Sequence, residues 1–334
     1  MPRTDALADT DWRPGADLDT LKLRATLMAR VRSFFAPRGV LEVDTPILSR
    51  AATTDPAIES FATDYRGPGA AAGLPLYLHS SPEFGMKRLL AAGSGPIFQL
   101  AHVFRNGECG RRHNPEFMLL EWYRPGFDPQ ALMQEIDELL AHLLAGSSDY
   151  QPAERISYRQ WFVDHTGLDP WRDPPAAFRA FAAQHLDPVP GGMPDDELDP
   201  WLDLLVSHWL EPRLPRTAVF VYDYPVSQAS LACIRRRPLP VAERFELYLQ
   251  GMELANGFHE LGNSDEQAGR FARDNHRRLA AGQAAMPVDG RLIAALAHGL
   301  GDCSGVALGF DRLVMLAAGL TDIDNAMPFS LTRS

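Results

Sequence analysis

The segment FRNGECGRRHNPEFMLLEWYR, from Phe104 to Arg124, commits the chain to a β-hairpin whose inner face is not ordinary core. An apolar run, a polar loop holding Gly107 and Gly110, and a second apolar run are the pattern of two paired strands. Alternation along the second strand puts Phe117, Leu119, Glu121 and Tyr123 on one face. An aromatic ring, a carboxylate and a phenol together make a poor core and a serviceable binding wall. The loop gathers Arg105, Arg111 and Arg112 beside accessible backbone amides. Such a loop suits a triphosphate, because guanidinium groups neutralise the charge that develops in phosphoryl or nucleotidyl transfer. In isolation an ordinary charged hairpin loop would look the same, so other segments must decide.

Further segments add chemistry. In RFELYLQGMELANGFHEL, Arg244 to Leu261, the residues Leu254, Asn256, Phe258 and Glu260 alternate onto one strand face. Glu246 and Glu253 lie on successive segments that can fold together, and paired carboxylates near phosphates are typical Mg2+ ligands. Structural carboxylates paired with arginines are the competing reading. SGVALGFDRLVML, Ser304 to Leu316, is a small-residue strand followed by Gly309 and a helix from about Asp311. Arg312 in its first turn can lay a flat guanidinium on a purine. In LYLHSSPEFGMKRLLAAG, Ser81, Pro82 and Glu83 open a helix. There Glu83 either complements the helix dipole or faces an ammonium group.

Between these segments the pattern predicts a helix over 20–35, capped by Thr20, striped by Leu27, Val31 and Phe34, and ended by Pro37 and Gly39. A short strand follows at Val40–Val43, closed by Pro46. Helices are expected at 131–144, 176–184, 266–280 and 291–297, and strands at 219–222, 245–249 and 254–261. Residues 1–19 read as poorly ordered. Residues 187–211 carry seven acidic side chains and no Lys or Arg, which suggests a surface insertion with a short helix around Trp201–Leu210. Hairpin-paired strands with helices between them predict an α+β domain over 20–334, an antiparallel sheet flanked by helices. The net charge of -11 argues against nucleic acid as the main partner. Cys109, Cys233 and Cys303 form no C-x-x-C pair, which points to a reducing compartment. With no apolar h-region and no apolar stretch of membrane-spanning length, the expectation is a cytoplasmic protein without a membrane partner.

Together the segments resemble the three signature motifs of class II aminoacyl-tRNA synthetases. The helix at 20–35 through Pro46 is similar to motif 1, Phe104–Tyr123 to motif 2 and Gly305–Arg312 to motif 3. The wording RHNPEF with E-x-Y and GMELANGF-x-E is similar to the lysyl branch of that class. The resemblance implies ATP and Mg2+ as cofactors, with Arg105 on the α-phosphate and adenine held between Phe117 and Arg312. Asn106, Gly107, Glu108, Asn114, Leu247 and Gly309 would line the nucleotide site, and Glu246 and Glu253 would hold Mg2+. Arg105 and Arg312 would be the catalytic arginines. Glu121 and Tyr123 would bind the side-chain ammonium of lysine, with Asn256, Phe258 and Glu260 completing the pocket. Ser81, Pro82 and Glu83 would face the substrate's other amino group. Motif 1 implies a homodimer.

Departures from that pattern narrow the reading. Fewer than twenty residues precede the first helix, where a lysyl-tRNA synthetase carries an anticodon-binding domain. Gly107 stands where motif 2 has Arg-x-Glu, with Glu108 next to it, and Ala307 stands where the lysyl enzyme has Gly. These features are similar to a stand-alone paralogous family, the elongation factor P lysine ligases, which share LYLH-x-SPE, HNPEF and GVALG. That resemblance implies transfer of lysine or β-lysine to a lysine side chain of elongation factor P, without tRNA. A minimal enzyme that charges tRNA, and an inactive synthetase-like regulator toward which only Gly107 points, are the alternatives.

Overall fold

A computed structural model describes residues 12–146 and 150–334. Contacts cluster into two compact units, the first Met1–Phe127, Glu138–Tyr150 and Gly262–Ser334, the second Asp128–Asp137 and Gln151–Leu261. The first opens with α1 (Leu18–Phe35), β1 (Leu41–Glu42), β2 (Leu48–Ser49), β3 (Ala62–Tyr65) and β4 (Leu74–Leu78). Helix α2 (Glu83–Ala91) and strands β5 (Ile97–Phe104) and β6 (Glu116–Pro125) follow. Helix α3 (Pro129–Leu144) leads to β7 (Glu154–Ser157), α4 (Tyr158–Thr166), α5 (Pro175–His185) and α6 (Asp199–Leu205). Next come β8 (Val219–Tyr224), β9 (Ile234–Arg235), β10 (Val241–Leu249) and β11 (Met252–His259). The chain returns to the first unit with α7 (Ser264–Ala280), α8 (Gly290–His298), β12 (Cys303–Gly309) and α9 (Phe310–Ala318).

Helix α1 begins earlier than its apolar stripe suggests. Asp17 caps it, its carboxylate accepting the Thr20 amide at 2.7 Å. Thr20, the expected cap, is buried inside the first turn. The residues just before the cap are tied down: the amides of Gly15 and Ala16 bond the carbonyls of Pro328 and Met327 at 2.9 and 3.0 Å. From Gly15 onward the stretch 1–19, expected to be poorly ordered, is held in place, and for residues 1–11 that expectation lies outside the described residues. Gly39, at φ 65°, turns the chain out of the helix in the left-handed region that glycine tolerates.

The first unit's sheet has the order β1-β5-β6-β12, with β1 parallel to β5 and the remaining pairs antiparallel. A small sheet β2-β4-β3 lies in the same unit. Phe35 of α1 stacks on Phe98 at 4.7 Å and lies 5.5 Å from Trp122, which anchors the helix to the sheet. In the second unit the order is β11-β10-β8-β7, antiparallel except where β7 joins β8, with β9 beside β10. Its core is aromatic: Tyr158, Trp161, Phe162, Phe178 and Tyr248 pack with Trp201, Leu202 and Leu205 of α6. The acidic stretch 187–211 is thus more than a solvated surface insertion, because from Asp199 onward it supplies core. Each unit is an α+β layer arrangement, as expected.

Candidate active site

Each unit holds its own set of the residues singled out above. In the first, the β5–β6 loop turns through Gly107 at φ 84°, a conformation that a Glu at this position would strain. The acid of this loop is the next residue, Glu108, 3.7 Å from the Arg105 guanidinium. Arg105 also lies over the Phe117 ring at 5.1 Å. Its Nε is buried and makes no hydrogen bond among the described residues. A buried guanidinium N–H without an acceptor is costly unless a ligand supplies one, and a phosphate oxygen is the acceptor that suits it. Phe117 itself is half-buried, packed against Ala101, Val103 and Leu119.

Arg312, in the first turn of α9, donates to His113 Nε2 at 2.9 Å and to the Arg112 carbonyl at 3.4 Å. Burial pushes the His113 imidazole below its ordinary value, with the Arg312 charge acting in the same sense, which favours the neutral ring. Gly309 precedes the helix, and a Cβ there would sit 3.4 Å from Arg312 Cδ, so glycine leaves that side chain room. Asn114 is buried, with both amide ends engaged inside the protein. Its Nδ2 donates to the Glu116 carbonyl at 2.6 Å and its Oδ1 accepts from the Leu331 amide at 2.9 Å. It braces the loop. Asn106 is exposed, and its amide bonds the Glu59 carbonyl at 2.8 Å.

A second group lies where β6 is flanked by β5 and β12. Glu121 pairs with Gln99 on one side and Ala307 on the other. The Ser81 hydroxyl reaches both carboxylate oxygens, at 2.8 and 3.0 Å, and Tyr123 donates to Oε1 at 3.3 Å. Ser81 Oγ also accepts the Glu83 amide at 3.0 Å, so Pro82 starts α2 with Ser81 pinned against Glu121. The Glu83 side chain receives Lys87 Nζ at 2.5 Å, and Lys87 is 2% exposed. Sequence reasoning did not single out Lys87, although its spacing four residues after Glu83 was legible. Glu83 therefore meets a cation within its own helix, and Glu121 takes hydroxyl contacts from Ser81 and Tyr123. The Ala307 methyl, opposite Glu121, narrows the floor of the same face.

In the second unit, Glu246 of β10 accepts from Arg244 at Oε1 and from Tyr248 at Oε2, the latter at 2.5 Å. Asn256, its partner across the ladder, adds a long contact of 3.4 Å. Glu253 sits opposite Tyr248, and both Tyr248 and Arg244 feel its charge. Burial works against the Arg244 charge, but Glu246 and the groups around it prevail, and the guanidinium pKa is raised. Tyr248 is pushed well above the ordinary phenol value by burial and by Glu246. Leu247, expected to line the nucleotide site, is fully buried. Phe258 packs on the aromatic core, and Glu260 is buried beside a backbone bridge to Ala232. Neither Arg244 nor Tyr248 was singled out beforehand, yet both share the Glu246 face by simple alternation.

The donor set allows a test of the expected metal. Among the described residues no group of three or more His, Cys, Asp or Glu side chains could cage a metal ion. Two carboxylates on one strand pair fit Mg2+, which takes one or two protein carboxylates and fills its shell with substrate phosphates and water. Among the described residues no helix is long and apolar enough to cross a membrane.

Comparison with known proteins gives the family of the chain. The family described as tRNA synthetases class II (D, K and N) matches residues 10–333. A protein of Yersinia enterocolitica named elongation factor P--(R)-beta-lysine ligase is 50% identical over 324 residues, 97% of this chain and 98% of its own length. Proteins of the same name from Photorhabdus laumondii and Pectobacterium atrosepticum are each 49% identical over 97% of this chain, covering 98% and 99% of their own lengths.

Proposed function

The chain belongs to the class II tRNA synthetase family of the D, K and N type, and from that membership we propose that it activates a lysine with ATP and transfers it to a lysine side chain of elongation factor P. The observation that carries the activation step is Arg105, whose buried Nε lacks an acceptor beside the half-buried Phe117 ring. In the first step a carboxylate oxygen of the amino acid attacks the α-phosphorus in line, and the bond to pyrophosphate breaks. Arg105 neutralises the charge that builds on the α-phosphate, Phe117 and Arg312 hold the purine, and no protein nucleophile is needed. Bound Mg2+ would neutralise phosphate charge, with Glu246 and Glu253 as its protein ligands.

A cationic substrate suits the buried Glu121 carboxylate, which Ser81 and Tyr123 orient at 2.8 to 3.3 Å. Ser81 orients that carboxylate, and the Ala307 methyl shifts where the substrate's α-carbon rests. Both features support (R)-β-lysine, the amino acid named for the relatives. In the second step the acceptor amine attacks the acyl carbon, AMP leaves, and the amine's extra proton passes to solvent. A protein acceptor rather than tRNA is in keeping with the net charge of -11. The enzyme works in the cytoplasm as a homodimer through the motif 1 segment, where Leu41, Ile47 and Leu48 are exposed. Sedimentation as a monomer at micromolar concentration would remove the dimer.

The test is the intact mass of elongation factor P after incubation with this protein, ATP, Mg2+ and (R)-β-lysine. A gain of one lysyl unit that requires ATP is expected. If the acceptor's mass is unchanged while tRNA becomes charged, the protein-ligase reading is wrong.

A further inference from the structure

We infer that Arg24 and Asp311 are positioning residues for nucleotide binding, because their buried ion pair sets the spacing between Phe117 and Arg312. What those two walls hold rests on the adenylation reading above. The assignment of two residues that touch no substrate goes beyond it.

Asp311 lies in the first turn of α9 and is 1% exposed. One carboxylate oxygen accepts from Arg24 Nη1 at 2.5 Å, and the other accepts the backbone amide of Met118 at 2.7 Å. Met118 follows Phe117 on β6, and Asp311 precedes Arg312. A single carboxylate is thus bonded beside one wall and covalently adjacent to the other. The β6–β12 ladder ends with Leu119 opposite Gly309. Past that point the Met118 amide finds its acceptor in the Asp311 side chain, so the ladder's open end is closed by a group that can also tilt α9. Arg24, reaching in from α1, is itself enclosed. Its guanidinium lies 5.2 Å from the Phe310 ring and 3.6 Å from Met118 Sδ, and it approaches the Ala326 carbonyl at 3.5 Å.

Removing Arg24 leaves a buried carboxylate without its counter-charge, which must rotate or take up a proton. Either change loosens the Met118 bond and lets the two walls drift. Small displacements of binding groups are expensive in affinity and rate. An arginine serving only general stability would weaken every ligand alike or none.

The experiment pairs calorimetric titration with ATP and the amino-acid KM from ATP–pyrophosphate exchange, on Arg24→Met, Arg24→Lys and Asp311→Asn, each checked for a folded circular dichroism spectrum. Arg24→Met and Asp311→Asn should weaken ATP binding by about tenfold or more while the amino-acid KM stays within about twofold. Arg24→Lys should recover most of the loss. In a Phe117→Ala background, where one wall is gone, Arg24→Met should cost less than about threefold. A folded Arg24→Met protein with wild-type ATP affinity overturns the inference, as does an equal loss for both substrates or an undiminished effect without Phe117. Should Asp311→Asn fail to fold, the two Arg24 variants decide the matter. A wild-type protein that binds no ATP would instead bring down the adenylation reading.

Discussion

Glu121 in the first unit and Glu246 in the second are both strand carboxylates, 3% and 8% exposed, yet their surroundings differ in kind. Hydroxyls address Glu121: Ser81 at 2.8 and 3.0 Å and Tyr123 at 3.3 Å. Glu246 is addressed by the Arg244 guanidinium and by the Tyr248 phenol. A hydroxyl orients a carboxylate without cancelling its charge, so the Ser81 and Tyr123 contacts position Glu121 and supply no counter-charge of their own. A guanidinium supplies a counter-charge as part of the fold, so Glu246 is held in place before any ligand binds. The contacts thus differ in kind, hydroxyls at Glu121 and a guanidinium with a phenol at Glu246.

That contrast breaks most easily at Glu121. Glu121→Gln should lower amino-acid activation by a factor on the order of 10² to 10³, or about 3–4 kcal/mol. Its unfolding midpoint in urea should hardly move, since the amide still accepts from Ser81. Pyrophosphate exchange at saturating ATP, alongside urea unfolding, separates the two effects. An active variant would show that the substrate's ammonium is read elsewhere. Glu246→Gln should cost about 3 kcal/mol of stability, because it leaves Arg244 as a buried cation beside a neutral amide. It should lower activation as well, because one proposed Mg2+ ligand is gone. If urea unfolding shows no loss, the Arg244 charge is settled by other groups and the two carboxylates are more alike than they look.

How much of this was legible beforehand follows the same division. Glu121, Phe117 and Tyr123 could be placed on one face because a strand alternates strictly, and the β5–β6 register confirms that face. Glu108 was legible as an acid displaced by one position, but its contact with Arg105 was not foreseen. Partners that settle charge were harder to see. Arg244 and Tyr248 flank Glu246 two residues away on either side, but alternation alone does not say which same-face neighbours bond. The link from Arg24 to Asp311 joins residues 287 positions apart, and no local pattern encodes it. The helix around Trp201–Leu210 was expected, but the burial of α6 was missed for another reason. Its acidic residues dominated the composition, while Trp201, Leu202 and Leu205 form the buried stripe of a helix only seven residues long, too short to stand out by periodicity.

Tyr248→Phe sharpens the comparison on a smaller scale. The phenol donates to Glu246 at 2.5 Å, and removing it leaves a buried carboxylate oxygen short of one donor. The cost should be about 1–2 kcal/mol, below that of losing the Glu246 charge itself. Thermal unfolding of the two variants side by side checks the order. If Tyr248→Phe costs as much as Glu246→Gln, the phenol rather than the guanidinium is what holds Glu246.

Asp203 probes how far the settled charge of the second unit extends. Its carboxyl is pushed up to about 6, first by burial and then by the neighbouring Asp199, with Arg244 pulling the other way. The Gln228 side chain donates to it at 2.8 Å. Because the folded value lies above the ordinary 3.8, the folded state holds more protons than the unfolded one between those two pH values. Stability contributed at this position therefore falls as pH rises from about 4 to about 6 and stays low above that. Asparagine keeps an acceptor for Gln228 and carries no charge. Asp203→Asn should thus be more stable than wild type at pH 8, by about 1 kcal/mol once solvent screening of a partly exposed group is allowed for. At pH 4 the advantage should vanish. Urea unfolding at both pH values decides the point. An equal difference at pH 4 and pH 8 would mean that Asp203 does not titrate in this window, and that the counter-charge of Arg244 reaches past Glu246 to the acidic helix as well.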